Sequence, residues 1–452
     1  MQYYYFKLNE RSINLFFLLK PSTKTKMKLT KYLSAFLAAF FLCFTGKAES
    51  KSITDPSPSL QKTRKVVFII VDGLSADMIE NTSTPHLDAI AKQGGYTRAY
   101  VGGEKGGYSE TPTISAVGYN SLLTGTWANK HNVWGNSIKA PNYNYPTIFS
   151  LLKKQYPEKK TAIFSTWLDN RTKLVGEGLP ETGNIRLDYA YDGFELDTVQ
   201  FPHDPQRKYI RNIDEKVATE AARYIKKQGP DLSWVYLEYT DDMGHKYGDS
   251  PQLTKAIAFE DRLIGMISGA VKHREKNYNE EWLFIITTDH GRTKETGHHH
   301  GGQSERERST WIITNTSRVN EHFRKETPAI VDILPTMTSF LNINIPTAQA
   351  YELDGVSLID QLSAVKLRAE IQNGQMILSW KSTGKHDNQT ATIRIAETNN
   401  YKNGGKDTYR TLGEVPVKDE TFKYDLKKPG SFYKIVLETP LNTLNTRVDI
   451  SK

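Results

Sequence analysis

"KVVFIIVDGLSADM", residues 65–78, decides the fold. Val66 to Val71 is an unbroken apolar run ending in Asp72-Gly73. A strand with one wet face alternates polar and apolar residues. A continuous run belongs to a strand buried on both faces, as in a parallel sheet covered by helices. The next stretch, "STPHLDAIAKQGG" (83–95), has a Ser/Thr cap, helical spacing and a glycine stop. The rhythm recurs. "KTAIFSTWL" (160–168), "LSWVYLEYT" (232–240) and "EWLFIITTDHG" (281–291) are apolar runs, and "DEKVATEAARYIKKQG" (214–229) reads as a helix between two of them. Alternating strands and helices predict an α/β fold, a three-layer αβα sandwich with a mostly parallel central sheet. Ligands of such sheets bind beyond the carboxyl ends of the strands. Asp72, Asp241 and Asp289-His290 collect at those ends.

The pattern changes near residue 360. "MILSWKSTG", "TATIRIAET" and "SFYKIVLETP" are short strand-like runs between turn residues, so 366–452 reads as a small β-sandwich. The segment 62–360 is then the α/β domain.

The formal charge of +8 over 452 residues overstates the basicity of the folded part. Residues 1–48 hold eight Lys/Arg and one acid, which leaves 51 basic against 50 acidic residues elsewhere. Nothing in that balance asks for nucleic acid or an anionic membrane. "MKLTKYLSAFLAAFFLCFTGKAES", from Met27, has early lysines, a short apolar run and small residues up to Ala48. That is the layout of a secretory signal peptide cleaved near Ala48, with residues 1–26 an upstream extension. It implies secretion or a periplasmic location, an uncleaved anchor being the alternative. The single cysteine, Cys43, lies inside this segment, so a mature metal site would use oxygen and nitrogen ligands.

Six of the eleven histidines fall between 245 and 300. Asp241 and His245 in "TDDMGHKYG" sit four residues apart and share one face if a helical turn follows the strand. With Asp72, Asp289, His290 and His300 they supply three carboxylates and three imidazoles, enough for two metal ions. Mixed Asp/His ligation suits zinc ahead of manganese or iron. "SETPTISAVGYNSLLTGTWANKHNVWGN" (109–136) places Ser115 at the start of a helical stretch, where a hydroxyl and free N–H groups favour an anion. Ser115 read only as a helix cap, and "GHHHGG" (297–302) only as a polar loop, are the alternatives from composition.

Taken in order, these pieces resemble the alkaline phosphatase superfamily, and within it the nucleotide pyrophosphatase/phosphodiesterase branch. "VDG" (71–73), Ser115 nine residues before Thr124-Gly125, "KHNVWGN" (130–136), "TDDMGHKYG" (240–248), "TDHG" (288–291), "HGG" (300–302), "IVDILPTM" and "DGVSL" carry the likeness across about 62–360. The resemblance implies a phosphodiesterase or nucleotide pyrophosphatase that passes through a phosphoseryl intermediate with two Zn2+. Asp72, Asp289 and His290 would hold one ion next to Ser115, which also ligates it. Asp241, His245 and His300 would hold the other. Asn136 and the amide of Ala116 would meet a phosphate oxygen.

The chain departs from the branch in several places. Its nucleophile is usually threonine, which leaves Thr113 as a competitor. The branch's substrate-contact stretch appears as "STWLDNR" (165–171), containing Trp167 and Arg171. Trp127, Trp134 and Trp167 could stack on a base, and Lys105 or Arg171 could reach the phosphate. The C-terminal part resembles, more weakly, a fibronectin type III domain. A phosphate monoesterase of the same fold is the nearest alternative. A sulfatase lacks support, because position 115 does not begin a Cys/Ser-x-Pro-x-Arg pattern. An inactive adhesion or glycan-binding protein is the alternative of another class. Every expected ligand precedes residue 301, so 366–452 is expected to be dispensable for the chemistry.

Overall fold

A computed structural model describes residues 61–384, 388–427 and 430–450. The expected signal peptide and Cys43 lie outside these residues. The apolar run forms β1 (Thr63–Val71), which ends one residue before Asp72. Its neighbours are β5 (Leu232–Leu237) and β6 (Glu280–Thr287), both parallel to it. Beyond β5 lie β3 (Thr161–Ser165) and β4 (Tyr189–Tyr191), also parallel. Beyond β6 lie β7 (Ser309–Thr314) and β2 (Gly95–Tyr100), antiparallel. The seven strands run β2-β7-β6-β1-β5-β3-β4, so the sheet is mostly parallel with an antiparallel edge.

Side chains alternate across a strand. Val66, Phe68 and Ile70 therefore join one apolar core with Leu122, Phe149 and Leu334. Val67, Ile69 and Val71 join the other, with Val217 and Ile264. Helices cover both faces, which gives three layers. All six of these β1 side chains are 0–2% exposed, and each such burial stabilises by roughly 1.5–3 kcal/mol. The register aligns Val71 with Leu237 and Ile70 with Thr287. The carboxyl ends of three strands thus meet at one edge.

Two local readings are corrected. The run 232–240 is not all strand: β5 stops at Leu237 and a helix spans Tyr239–Tyr247. Buried Asp214 accepts from the amides of Glu238 and Tyr239 at 3.0 and 2.7 Å, and Glu260 from that of Thr240 at 3.0 Å. These acceptors satisfy N–H groups that the first helical turn leaves free, so the chain can bend there. The helix read at 214–229 begins earlier, at Lys208.

The C-terminal strands are β8 (Ala364–Gln372), β9 (Gln375–Ser382), β10 (Thr390–Ala396), β11 (Arg410–Pro416), β12 (Thr421–Asp425), β13 (Phe432–Glu438) and β14 (Thr443–Asp449). They form two antiparallel sheets, β11-β10-β13-β14 and β12-β9-β8, around Met376, Ile393 and Ile435. This part is not merely tethered. Lys434 (5% exposed) pairs with Glu352 and with Asp407 at 2.8 Å. Lys130 (3% exposed) donates to Asp354 at 2.6 Å and to Asn445 at 2.9 Å. Asn445 donates back to the Leu353 carbonyl. Buried charges from the two parts complete each other. The expectation that 366–452 is dispensable for the chemistry concerns the site alone; for stability, removing it would strip partners from buried Lys130 and Glu352. No helix among the described residues is long and apolar enough to cross a membrane.

Candidate metal centre and active site

The strand ends place the acids, and local backbone geometry aims them. Asp72 is 1% exposed. Its Oδ2 accepts from the hydroxyls of Tyr119 and Tyr236, the latter at 2.6 Å. Burial first, and then the charge of Asp72, push both phenol pKa values well above the usual range, so both remain donors. Asp72 Oδ1 accepts no hydrogen bond. Asp289 is built the same way: Oδ1 accepts from the Gly73 amide at 3.1 Å, and Oδ2 is buried without a partner.

His290, 0% exposed, faces both bare oxygens. Its Nδ1 lies 2.9 Å from the Gly291 carbonyl, so Nδ1 carries a proton and Nε2 is the ring atom left to face the carboxylates. Burial lowers the ring pKa, but the charges of Asp289 and Asp72 outweigh it and raise it to about 9, so Nε2 holds a proton unless a metal ion replaces it. That Nε2 is 3.3 Å from Asp72 Oδ1, 3.2 Å from Asp289 Oδ2 and 3.2 Å from Ser115 Oγ. Two bare carboxylate oxygens and the imidazole Nε2 converge on one point, an arrangement that requires a shared cation, either a proton on Nε2 or a metal ion. The donor set Asp72, Asp289 and His290 fits a divalent metal ion, with one ligand atom from each within 4.8 Å of the others.

A second group stands beside it. Asp241, His290 and His300 also bring one ligand atom each within 4.8 Å. His300 Nδ1 lies 2.9 Å from the Thr113 carbonyl, which turns its Nε2 toward His245 Nε2 at 3.1 Å. Burial first, then the neighbouring His290, push the His300 pKa down to about 4, so the ring stays neutral and its lone pair is available. His245 Nε2 is 3.3 Å from Asp241 Oδ2. The second group therefore gathers Asp241, His245 and His300, with His290 shared between the two. Of the three adjacent histidines, geometry selects His300. His298 instead reaches the His245 carbonyl at 3.1 Å.

Ser115 is the first residue of the helix Ser115–Thr124, and Ile114 holds the capping position without a side-chain bond. The serine is therefore not spent as a cap. Thr113 is committed elsewhere: its hydroxyl donates to the Gly302 carbonyl at 2.9 Å and accepts from the Gly301 amide at 3.0 Å. Asn136 and the Ala116 amide come together, but as partners of each other at 3.0 Å. Asn136 Nδ2 is left without a partner among the described residues.

The readings near 165–171 fare unevenly. Trp167 is half-buried and lies edge-on to Tyr119 at 6.3 Å, beside the site. Arg171 is corrected as a phosphate contact. Its Nε and Nη2 bind Asp192 at 2.7 and 2.9 Å, and its Nη1 binds Glu177 at 2.6 Å. Two carboxylates neutralise it. Trp127 is core, stacked on Tyr100 at 6.0 Å. Lys105 lines a cavity shared with Trp127 and the C-terminal strands. Trp134 is 47% exposed, two residues before Asn136.

Sequence reasoning missed Tyr119, Tyr236 and Arg292. Tyr119 was within reach, four residues after Ser115 on the same helical face. Arg292 directly follows the "DHG" motif, but its partners come from distant segments.

Residues 66–352 match a family model described as type I phosphodiesterase / nucleotide pyrophosphatase. Over 255 residues the chain is 25% identical to venom phosphodiesterase 2 of Crotalus adamanteus, covering 54% of this chain and 29% of that protein. It is 22% identical to human ectonucleotide pyrophosphatase/phosphodiesterase family member 7, covering 53% of this chain and 50% of that protein. These matches span half or less of the relatives' lengths. Among solved structures, human ectonucleotide pyrophosphatase/phosphodiesterase 5 aligns at TM-score 0.45 and 15% identity, over 62% of this chain and 96% of that one. A 2-O GAG sulfatase aligns at TM-score 0.46 and 13% identity, over 80% and 85%.

Proposed function

The chain belongs to the type I phosphodiesterase / nucleotide pyrophosphatase family, and from that premise we propose that it is a metal-dependent hydrolase of phosphoric esters, with Ser115 as nucleophile. The observation that carries the reading is the convergence of Ser115 Oγ and two bare carboxylate oxygens on His290 Nε2, each within 3.3 Å. Asp72, Asp289 and His290 would hold one ion, and Asp241, His245 and His300 a second, zinc suiting this donor set best. Bound there, divalent cations supply the positive charge that lowers the pKa of a nearby hydroxyl and offsets the charge on phosphoryl oxygens.

The chain's own groups prepare that chemistry. Tyr119, Tyr236 and the Gly73 amide each occupy one carboxylate oxygen and leave its twin free. The carbonyls of Gly291 and Thr113 fix the tautomers of His290 and His300. Ser115 Oγ loses its proton to solvent and bonds to phosphorus, and the bond from phosphorus to the departing group breaks. Water then cleaves the phosphoseryl bond and restores the hydroxyl. Asn136 Nδ2 and the Ala116 amide donate to a non-bridging oxygen, which requires Asn136 Oδ1 to release that amide.

Diesters suit this site better than monoesters. A monoester dianion calls for additional positive side chains, and Arg171 is already neutralised by Asp192 and Glu177. Trp167 offers a flat surface for a second organic group. Secretion is part of the proposal, resting on the leader-like segment from Met27. We also read the C-terminal sheets as fibronectin type III-like, supported by their three-plus-four division. The test is kcat/KM for a bis-aryl phosphate against an aryl phosphate of equal leaving-group pKa, on zinc-loaded protein with Ser115→Ala as control. A preference of about tenfold or more for the diester is expected; the same preference for the monoester makes the protein a phosphatase.

A further inference from the structure

Arg292 is among the largest fully buried side chains of the protein. Burying a guanidinium is costly unless every donor finds an acceptor. Here the acceptors come from three separate segments. Nη2 binds Asp241 Oδ1 and, at 2.6 Å, the Asp241 carbonyl. Nε binds the Gly73 carbonyl at 2.9 Å, and Nη1 reaches the Gly297 carbonyl at 3.3 Å. The Arg292 amide is tied to Ser75 Oγ at 2.8 Å. Among the described residues it is the only Lys or Arg side chain within ion-pair distance of Asp72, Asp241 or Asp289.

Two glycines make room for it. A Cβ on Gly244 would fall 2.1–2.5 Å from guanidinium atoms. A Cβ on Gly73, where φ is +70°, would fall 2.7 Å from Nη2 and 2.5 Å from Asp241 Oδ1. The glycines of "VDG" and "DDMGH" thus share one physical reason, the space occupied by Arg292.

A fixed cation beside a cation-binding carboxylate opposes binding through its charge. Its place is explained by what it orients. We propose that Arg292 is a positioning residue: it holds Asp241 by Oδ1, leaves Oδ2 facing His245, and clamps together the three segments that frame the second ion. This rests on the reading of Asp241, His245 and His300 as metal ligands.

The test is zinc titration against a chromophoric chelator, with folding followed by circular dichroism. Wild type should show two tight sites. Arg292→Gln should keep one and weaken the other by roughly 10–100-fold. Gly244→Ala displaces the guanidinium without removing its charge and should give the same one-site pattern. In an Asp241→Asn background, Arg292→Gln should add less than about threefold, because the group it orients is already altered. Two tight sites in both single variants, equal weakening of both sites, or a fully additive effect in that background would overturn the proposal. So would failure of Arg292→Gln, Arg292→Lys and Gly244→Ala all to fold, which would make the arginine a folding residue. Absence of stoichiometric zinc from wild type would instead overturn the reading on which it rests.

Discussion

Ser115 Oγ stands 3.2 Å from His290 Nε2, while the hydroxyl of Thr113, two residues earlier, is bound into the Gly301–Gly302 turn. The two candidate nucleophiles are separated by their partners. Ser115→Ala should lower turnover by on the order of 10⁴-fold and keep its metal. Ser115→Thr should retain part of the activity. Thr113→Ala, losing a turn contact, should cost about tenfold or less. Normal turnover in Ser115→Ala with a dead Thr113→Ala would reverse the assignment. Steady-state kinetics with metal analysis decide it.

The bare oxygens of Asp72 and Asp289 lead to a second expectation. Mass spectrometry of purified protein should find about two divalent ions per chain. Chelation should abolish activity and zinc should restore it. His290→Ala, which removes the imidazole assigned to the first ion, should lose that ion and lower the metal content to about one per chain. An active protein without stoichiometric metal is the contrary result.

Lys130, Glu352 and Lys434 are buried where the C-terminal strands meet the α/β part. A chain ending near residue 362 should therefore aggregate or melt well below the full-length protein. Lys434→Met should cost about 3–5 kcal/mol by leaving Glu352 and Asp407 without their shared cation. Denaturant unfolding measures it. A soluble truncation with unchanged stability would contradict this packing account.

Arg171 should behave as a structural residue. Arg171→Ala should lower the melting temperature and leave the diester-to-monoester ratio of kcat/KM within about threefold, since an arginine held by two carboxylates has little to offer a phosphate. A selective loss of monoester turnover would return it to the substrate site.

Asp188 carries a pH signature. Burial alone would raise its pKa, but hydrogen bonds from Lys153, Lys160 and the Thr161 amide outweigh this and bring it from 3.8 to about 2. A depressed carboxylate contributes stability above its unfolded pKa and loses it as pH falls through the folded value. Asp188→Asn should therefore melt below wild type at pH 7, and the gap should close between about pH 4 and pH 2. A gap independent of pH would contradict the ion-pair account.

The course of the central strands was legible because burial on both faces writes itself locally. Val66 to Val71 needs no distant information to read as a parallel strand, and the order of "VDG", "DDMGH", "DHG" and "HGG" along the chain places acids and imidazoles at one sheet edge. The bend after Leu237 was not legible. The acceptors that let a helix begin there, Asp214 and Glu260, lie on other helices.

What the sequence by itself determined is the α/β sheet, the change to short strands near residue 360, and the set of residues available for chemistry. Only the tertiary structure decided which of three histidines turns inward, which hydroxyl stays free, that Arg171 is spent on Asp192 and Glu177, and that Arg292 fills the space beside Gly73 and Gly244. The physical reason is range. Burial of a central strand on both faces is written in a continuous local run of apolar residues, whereas each of these choices is made by a hydrogen bond or steric contact whose partner's position is set only once the sheet has assembled.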